Sequence, residues 1–78
     1  MARLRLFGPV REAAGVREEQ IDAATVAELL QLASSRHGAE FVALLSSCKV
    51  WVNGVIAAPD ALIGDGDEVA LLPPVSGG

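Results

Sequence analysis

Residues 64–74 read Gly-Asp-Gly-Asp-Glu-Val-Ala-Leu-Leu-Pro-Pro. The alternating glycines and aspartates predict a turn. The five residues that follow, 68–72, predict a strand rich in apolar side chains. Because proline has no backbone N–H to donate to a neighbouring strand, Pro73 and Pro74 predict where this strand ends. The stretch therefore places the last strand of the fold directly before a short C-terminal tail.

The first part of the chain predicts a strand, a helical turn and a weaker strand. Residues 2–7 begin with alternating apolar and polar side chains, which is the period of a half-buried strand. A Gly-Pro pair interrupts it, and residues 10–15 favour a helical turn that ends at Gly15. Residues 16–22 are rich in charged side chains, which is typical of a strand at the edge of a sheet.

The middle of the chain predicts the main helix. Thr25 is a favoured N-cap residue, and Glu28 stands three positions later, which is the spacing of a capping box. From Val26 onward the apolar residues recur with helical spacing, and Gly38 suits the left-handed position that follows a helix. A second apolar segment, residues 41–45, indicates another helical turn.

The remaining residues predict a β-hairpin, and with it the fold class. Residues 49–52 form a third strand, Asn53-Gly54 is a strong two-residue turn signal, and residues 55–56 begin the returning strand. The simplest layer arrangement for these elements is an α+β fold of the ubiquitin-like β-grasp type. In that fold a mixed sheet packs on one main helix, and the first and last strands lie parallel at its centre.

Composition limits the domain organisation and the class of function. The chain has 78 residues, of which 51% are hydrophobic and 21% charged, which indicates a folded domain. We expect one domain, residues 1–72, followed by a flexible tail, residues 73–78. A net charge of −4 argues against nucleic-acid binding. No apolar run is long enough for a membrane span, and the single Cys48 without a signal peptide favours a cytoplasmic location.

The tail holds the residues best suited to chemistry. Its six residues reach at most roughly 20 Å when extended, and the two prolines stiffen its base. Gly77 and Gly78 lack side chains and can enter a channel too narrow for a Cβ. A terminal glycine presents an unhindered carboxylate, which becomes reactive when it is joined to AMP. The alternative is an ordinary frayed terminus.

A second predicted feature is an apolar surface on the sheet. If Leu4 and Leu6 face the helix, strand alternation turns Phe7 outward, and the same argument applies to Leu72 in the last strand. Phe7 and Leu72 would then form a partner-docking surface, to which Ile56 and Trp51 are candidate additions. For Trp51, packing in the core is an equally good alternative.

Three weaker features have competing interpretations. Arg3, Arg5 and Arg11 form either a solvated strand face or a basic patch that contacts an acidic partner. Cys48 is a candidate sulfur acceptor, although packing is the commoner role of a lone thiol. His37 is a candidate general base, but the sequence places no carboxylate or nucleophile beside it, and the helix dipole favours histidine near a helix C-terminus. No metal site and no self-contained catalytic site are predicted.

Four motifs resemble a known family. Residues 6–15, 52–54, 66–70 and 73–78 are similar to the small, sulfur-carrier subunit of molybdopterin synthase, which has a ubiquitin-like β-grasp fold. The match runs from the first strand to the last residue and is most specific from Gly66 to Gly78. One departure is Leu71-Leu72, where aromatic residues often occur in the family.

The resemblance implies a function that depends on other proteins. An adenylating enzyme would use ATP and magnesium to activate the Gly78 carboxylate, and a sulfur donor would convert it to a thiocarboxylate. The tail would then insert into the large catalytic subunit, in a heterotetramer, and donate sulfur to cyclic pyranopterin monophosphate. No cofactor would be bound permanently. The residues implied in partner binding are Phe7, Ile56, Leu72, Pro73, Pro74, Val75 and Ser76.

Other functions share the same fold and tail. They are sulfur carriage for thiamine, cysteine or tRNA thiolation, a ubiquitin-like modifier conjugated to lysines, and an interaction module with an inert tail. The run Pro73–Gly78 together with Gly66–Ala70 favours the molybdopterin carrier, because both patterns resemble that family in full.

Overall fold

A computed structural model describes residues 1–73 of the chain. The elements, in chain order, are β1 (Ala2–Leu6), α1 (Pro9–Ala14), β2 (Glu18–Ile21), α2 (Val26–His37), α3 (Ala39–Leu45), β3 (Lys49–Val52), β4 (Val55–Ile56) and β5 (Glu68–Leu72). Each predicted element is therefore confirmed to within two residues at either end. Five residues of the predicted tail, 74–78, lie outside the described part of the chain.

The five strands form one mixed sheet in the order β2-β1-β5-β3-β4. β1 and β5 pair in parallel, with Leu4 opposite Val69 and Leu6 opposite Leu71. The other pairings are antiparallel. The predicted parallel pairing of the first and last strands is confirmed, and β2 lies at an edge, as its charged side chains predicted. The fold is therefore the ubiquitin-like β-grasp that the element order indicated.

One apolar core lies between the sheet and the helices. Strand alternation turns the apolar residues of β1 and β5 toward α2, whose stripe of apolar residues packs on them. The fully buried side chains include Leu4, Leu6, Val10, Ile21, Val26, Leu29, Phe41, Val69 and Leu71. Because all three helices contribute to this one core, none of them covers the opposite face of the sheet, which we call the outer face.

The N-terminus of α2 is capped in a variant of the predicted way. The backbone N–H of Glu28 donates to the Thr25 hydroxyl at 3.2 Å, as a capping box requires. The carboxylate of Glu28, however, accepts from the N–H of Ala24 at 2.7 Å rather than from that of Thr25. The Glu28 carboxylate therefore binds the residue before the N-cap instead of the N-cap residue itself. It still satisfies a backbone N–H next to the helix.

Removal of the Thr25 hydroxyl should destabilise the domain. We expect Thr25→Ala to cost about 1 kcal/mol of unfolding free energy, because the N–H of Glu28 loses its partner. Thr25→Ser keeps the oxygen and is expected to cost much less. Urea denaturation of both variants beside the wild type measures the difference, and equal losses in the two would show that the hydroxyl bond is not the cause.

The hairpin between β3 and β4 is tied to the start of β5. Asn53 and Gly54 have φ values of 50° and 83°, the left-handed values that a two-residue turn of this kind needs. The Asn53 amide nitrogen donates to Asp67 at 3.0 Å, and its oxygen accepts from the N–H of Glu68 at 2.9 Å. The turn residue therefore also fixes where the central strand begins.

The hydrogen bonds that the Asp67 carboxylate accepts make part of the stability of the domain depend on pH. The Asn53 amide, followed by the N–H of Gly64, holds the pKa of Asp67 below its ordinary 3.8. A depressed folded-state pKa contributes stability that is present above the unfolded value and is lost as the pH falls through the folded value. We therefore expect the melting-temperature difference between wild type and Asp67→Asn to shrink between about pH 6 and about pH 3. A difference that stays constant over this range would show that the hydrogen bonds of Asp67 do not depend on its charge.

Within residues 1–73, no helix has both the length and the apolar character needed to cross a membrane.

Candidate functional site

The outer face contains a row of side chains that crosses four strands. The strand registers place Arg5 beside Ala70, Ala70 beside Trp51, and Trp51 beside Ile56. Residues that are direct cross-strand partners share one face of a sheet. Since the neighbours of Arg5 in β1 are buried in the core, this row lies on the outer face. Ala70 in the centre of the row is small, so the surface is shallowly concave between the larger side chains of Arg5 and Trp51.

The predicted outward orientation of Phe7 and Leu72 is confirmed. Leu72 alternates with the buried Leu71 and lies opposite Lys49, on the outer face. Phe7 continues the outward alternation of β1 and is half-buried. Ile56 is 57% exposed. These three residues together with Trp51 form what we call the outer apolar patch, a surface of the type that partner proteins cover.

The structure decides between the two interpretations of Trp51. Its neighbours Val50 and Val52 pack against the core, whereas Trp51 alternates to the other side and lies between Ala70 and Ile56. Trp51 is half-buried there. It therefore contributes to the outer apolar patch, and the alternative of a core tryptophan is wrong.

The charged residues of the outer face form a network beside the patch. Arg3 and Arg5 approach the carboxylate of Glu68 at 3.7 and 3.6 Å, and Arg5 also approaches Glu18 at 3.9 Å. The guanidinium of Arg5 lies 5.4 Å from the centre of the Phe7 ring, within cation–π range. Exposed pairs of this kind add little stability. Their effect is to hold Arg5 over the Phe7 ring.

The base of the tail packs against the end of β1. A methyl group added at Gly8 would lie 3.1 Å from Cγ of Pro73, so the two residues are in close approach. Gly8 also has a φ of 64°, which favours glycine. The chain thus leaves the sheet between the outer apolar patch and the start of α1. The roles predicted for Pro74 to Gly78 concern residues beyond those that the structure describes.

The two candidate reactive side chains of the domain are engaged in local contacts. The Cys48 thiol donates to the carbonyl of Leu44 at 3.4 Å, and burial raises the pKa of this thiol, which makes it less nucleophilic. His37 Nε2 lies 3.0 Å from the carboxylate of Glu19, a partner that the sequence did not place beside it. Glu19 is in β2 and His37 is the last residue of α2, so the two side chains meet only because β2 pairs with β1 in the sheet on which α2 packs. Arg36 approaches the same carboxylate at 3.6 Å.

The described part of the chain lacks the parts of a self-contained active site. Among residues 1–73, no three His, Cys, Asp or Glu side chains are grouped to hold a metal ion. Among the contacts that the His37–Glu19 pair makes with described residues there is no nucleophile. What the described arrangement offers is the outer apolar patch, beside which the chain leaves the sheet.

The model of the ThiS family matches residues 4–78. The chain belongs to the ThiS family. It is therefore a small ubiquitin-like domain of the sulfur-carrier type, and the predicted resemblance to such carriers is confirmed at the level of the family and the fold.

Solved structures agree with this assignment. SAMP1, small archaeal modifier protein 1, of Haloferax volcanii is 34% identical, with a TM-score of 0.80 over 99% of this chain and 98% of that one. A Pyrococcus furiosus protein designated molybdopterin converting factor subunit 1 is 29% identical, with a TM-score of 0.85 over 95% and 97%. A chain of the complex between subunits 1 and 2 of that factor from Helicobacter pylori is 28% identical, with a TM-score of 0.76 over 99% and 97%. No curated protein matches the chain.

Proposed function

We propose that the chain is the sulfur-carrier subunit of a molybdopterin synthase. The supporting observation is the combination of the outer apolar patch with the adjacent exit of a chain that ends Pro-Pro-Val-Ser-Gly-Gly. A carrier needs both features, because the body must bind a partner while the terminal carboxylate reaches that partner's active site. The similarity to two converting-factor structures over nearly the whole chain supports the same function.

The proposed reaction begins at the Gly78 carboxylate. In an adenylating enzyme, a carboxylate oxygen attacks the α-phosphorus of magnesium-bound ATP, which forms the acyl-adenylate and releases pyrophosphate. A sulfur donor at the oxidation level of sulfide then attacks the carbonyl carbon, and AMP leaves with the bonding electron pair. The product is a thiocarboxylate at Gly78. It differs from the starting carboxylate by one sulfur in place of one oxygen.

The second half of the reaction takes place in the large subunit. Each dithiolene needs two thiocarboxylates, one for each sulfur. In each transfer the tail, residues 73–78, enters the active site of the large subunit, and the thiocarboxylate sulfur bonds to a carbon of cyclic pyranopterin monophosphate while a C–O bond at that carbon breaks and the oxygen leaves with the electron pair. Water then cleaves the remaining bond between sulfur and the Gly78 carbonyl, which restores the carboxylate. The chain supplies no acid or base to these steps. Its contribution is to bind the large subunit and to position the terminal group.

The proposal includes the setting in which the chain works. Two copies bind a dimer of large subunits, with Phe7, Ile56 and Leu72 in the contact and Pro73 to Ser76 along the entrance channel. The adenylating enzyme and the sulfur donor are further partners. All are proteins of the cytoplasm, and the carrier holds no cofactor of its own.

A ubiquitin-like modifier is the second candidate function. The modifier SAMP1 is 34% identical to this chain, somewhat more than either converting-factor chain. A modifier uses the same adenylate but transfers the Gly78 carbonyl to a lysine amine, which forms an isopeptide bond. The two functions therefore differ in the acceptor.

Intact mass spectrometry tests the proposal. After incubation with the adenylating enzyme, ATP and a sulfur donor, we expect a mass gain equal to the replacement of one oxygen by sulfur. Added large subunit and cyclic pyranopterin monophosphate should then consume the thiocarboxylate and produce a dithiolene. No gain with a competent adenylating enzyme would contradict sulfur carriage. Lysine-linked adducts in cell extract, without dithiolene formation, would favour the modifier.

A further inference from the structure

A pocket lies beside the outer apolar patch. It has a volume of about 370 Å³ and is lined by Arg5, Leu6, Phe7, Arg11, Arg17 and Glu18. We call it the arginine pocket. Phe7 belongs both to its wall and to the outer apolar patch, so a protein surface that covers Phe7 also meets the pocket.

The charge of this pocket is opposite to that of the whole chain. The net charge of the chain is −4, and only six of its residues are lysine or arginine. Three of those six line this one pocket, against a single glutamate. A positive concave surface on an acidic domain attracts negatively charged groups while the rest of the molecule repels them. The distribution therefore indicates an anionic occupant.

Two of the three guanidinium groups are available to such an occupant. Arg5 is engaged by Glu18 and Glu68. Arg11 and Arg17 are exposed, and neither forms an ion pair with any residue in the range 1–73. Guanidinium groups favour bidentate contacts with carboxylates and phosphates. The pocket wall thus contains two guanidinium groups that have no ion-pair partner among residues 1–73.

The pairing of β1 with its neighbours places this pocket next to the exit of the tail. The N–H of Leu6 donates to the carbonyl of Arg17 at 2.9 Å, which fixes Arg17 beside the end of β1. Leu6 also pairs with Leu71 of β5, the strand that leads to Pro73. The arginine pocket and the base of the tail therefore lie at the same end of the sheet.

We propose that the arginine pocket binds carboxylate side chains of an acidic segment in the protein partner that uses the tail. This inference rests on the proposed carrier function. Arg11 and Arg17 form ion pairs with that segment at the edge of the contact made by the outer apolar patch. The pairs orient the carrier so that the tail faces the partner's channel, and they accelerate encounter with a partner of that charge.

The pocket favours carboxylates over a free polyphosphate. Glu18 in its wall repels a group with several negative charges more strongly than it repels a single carboxylate. The contact of Arg5 with Glu18 at 3.9 Å also shows that a carboxylate oxygen fits among these side chains. In addition, Phe7 forms part of the wall and provides apolar area that a protein covers and a phosphate does not.

Charge reversal tests the effect on encounter. We expect Arg11→Glu and Arg17→Glu each to slow association with the large subunit roughly 3- to 10-fold at low salt, with the difference vanishing at high salt. Arg36→Glu makes the same charge change on α2, away from the pocket, and should associate at nearly the wild-type rate. Stopped-flow association over a range of salt concentrations measures all three.

Zero-length cross-linking tests the chemistry of the occupant. The chain has a single lysine, Lys49, so a Lys49→Arg background removes side-chain amines without changing the charge. In that background Arg11→Lys or Arg17→Lys places one amine in the pocket, and a carbodiimide joins it to any adjacent carboxylate. We expect cross-links to aspartate or glutamate of the partner. Arg36→Lys is the matched control; it lies next to Glu19 of the same chain and should give no cross-links to the partner.

The outcomes separate this inference from the proposed function. Wild-type rates and salt dependence in both reversal variants, or no cross-links beyond the Arg36→Lys background, would overturn the acidic-segment proposal while Gly78 still acquires sulfur. Binding of tripolyphosphate to the isolated chain, with NMR shifts at Arg11 and Arg17, would assign the pocket to phosphate and overturn it too. If the wild type gains no sulfur and binds neither partner, the carrier function fails and this inference fails with it.

Discussion

Addition of one alanine after Gly78 is expected to abolish thiocarboxylate formation while the domain remains folded and equally stable. The proposed reaction needs a free carboxylate on a residue without a Cβ. The added alanine moves the carboxylate one residue further along and puts a methyl group next to it. Since Gly78 is six residues beyond the end of β5, the core between sheet and helices is unaffected.

The control for this prediction is removal of the residues added after Gly78. A variant that carries a protease site after Gly78 can be assayed before and after cleavage, so one preparation supplies both forms. Intact mass gives the sulfur content, and thermal unfolding gives the stability of each form. Sulfur transfer by the extended protein, with the extension still present at the end of the assay, would show that the Gly78 carboxylate is not the reactive group.

The second large effect is expected at Leu72. Leu72→Arg should weaken binding to the large subunit about 10- to 100-fold, because the contact loses the burial of a leucine side chain, worth about 1.5–3 kcal/mol, and gains a charge to desolvate. The monomer should remain folded, since Leu72 points to the outer face and does not belong to the core.

Leu62 provides a matched control for this substitution. Its side chain is 81% exposed, and its backbone pairs with Thr25 at the start of α2, away from the outer apolar patch. Leu62→Arg makes the same chemical change and is expected to leave partner affinity within about twofold, as surface substitutions usually do. Calorimetric titration measures both affinities, and circular dichroism verifies folding. Equal losses in the two variants would contradict docking through the outer apolar patch.

Local signals in the sequence determined the secondary structure and most of the topology. The Asn53-Gly54 turn, the Thr25 cap and the glycine after α2 each depend on residues within a few positions of one another, so they can be recognised without the fold. Alternation in β1 and β5 was sufficient to orient Phe7 and Leu72, because the period of a strand fixes the face once the core face is known.

Only the tertiary structure decided how distant residues meet. Trp51 was ambiguous until the register of β3 against β5 placed it beside Ala70, on the outer face. Arg17 was not predicted to join the basic patch, since its neighbour Phe7 is ten positions away and the antiparallel pairing of β2 with β1 brings the two together. The same pairing places Glu19 within hydrogen-bond distance of His37.

The physical reason is the range of the interactions. Turn, cap and alternation signals arise from dihedral preferences and from hydrogen bonds between near neighbours, and the sequence displays them directly. Strand register and helix docking depend on which apolar side chains fill the core together, and no single segment contains that information. The sequence alone thus determined the elements, and it is the source of the prediction that the chain reacts at Gly77-Gly78. The tertiary structure decided which side chains surround the point where the tail leaves the domain.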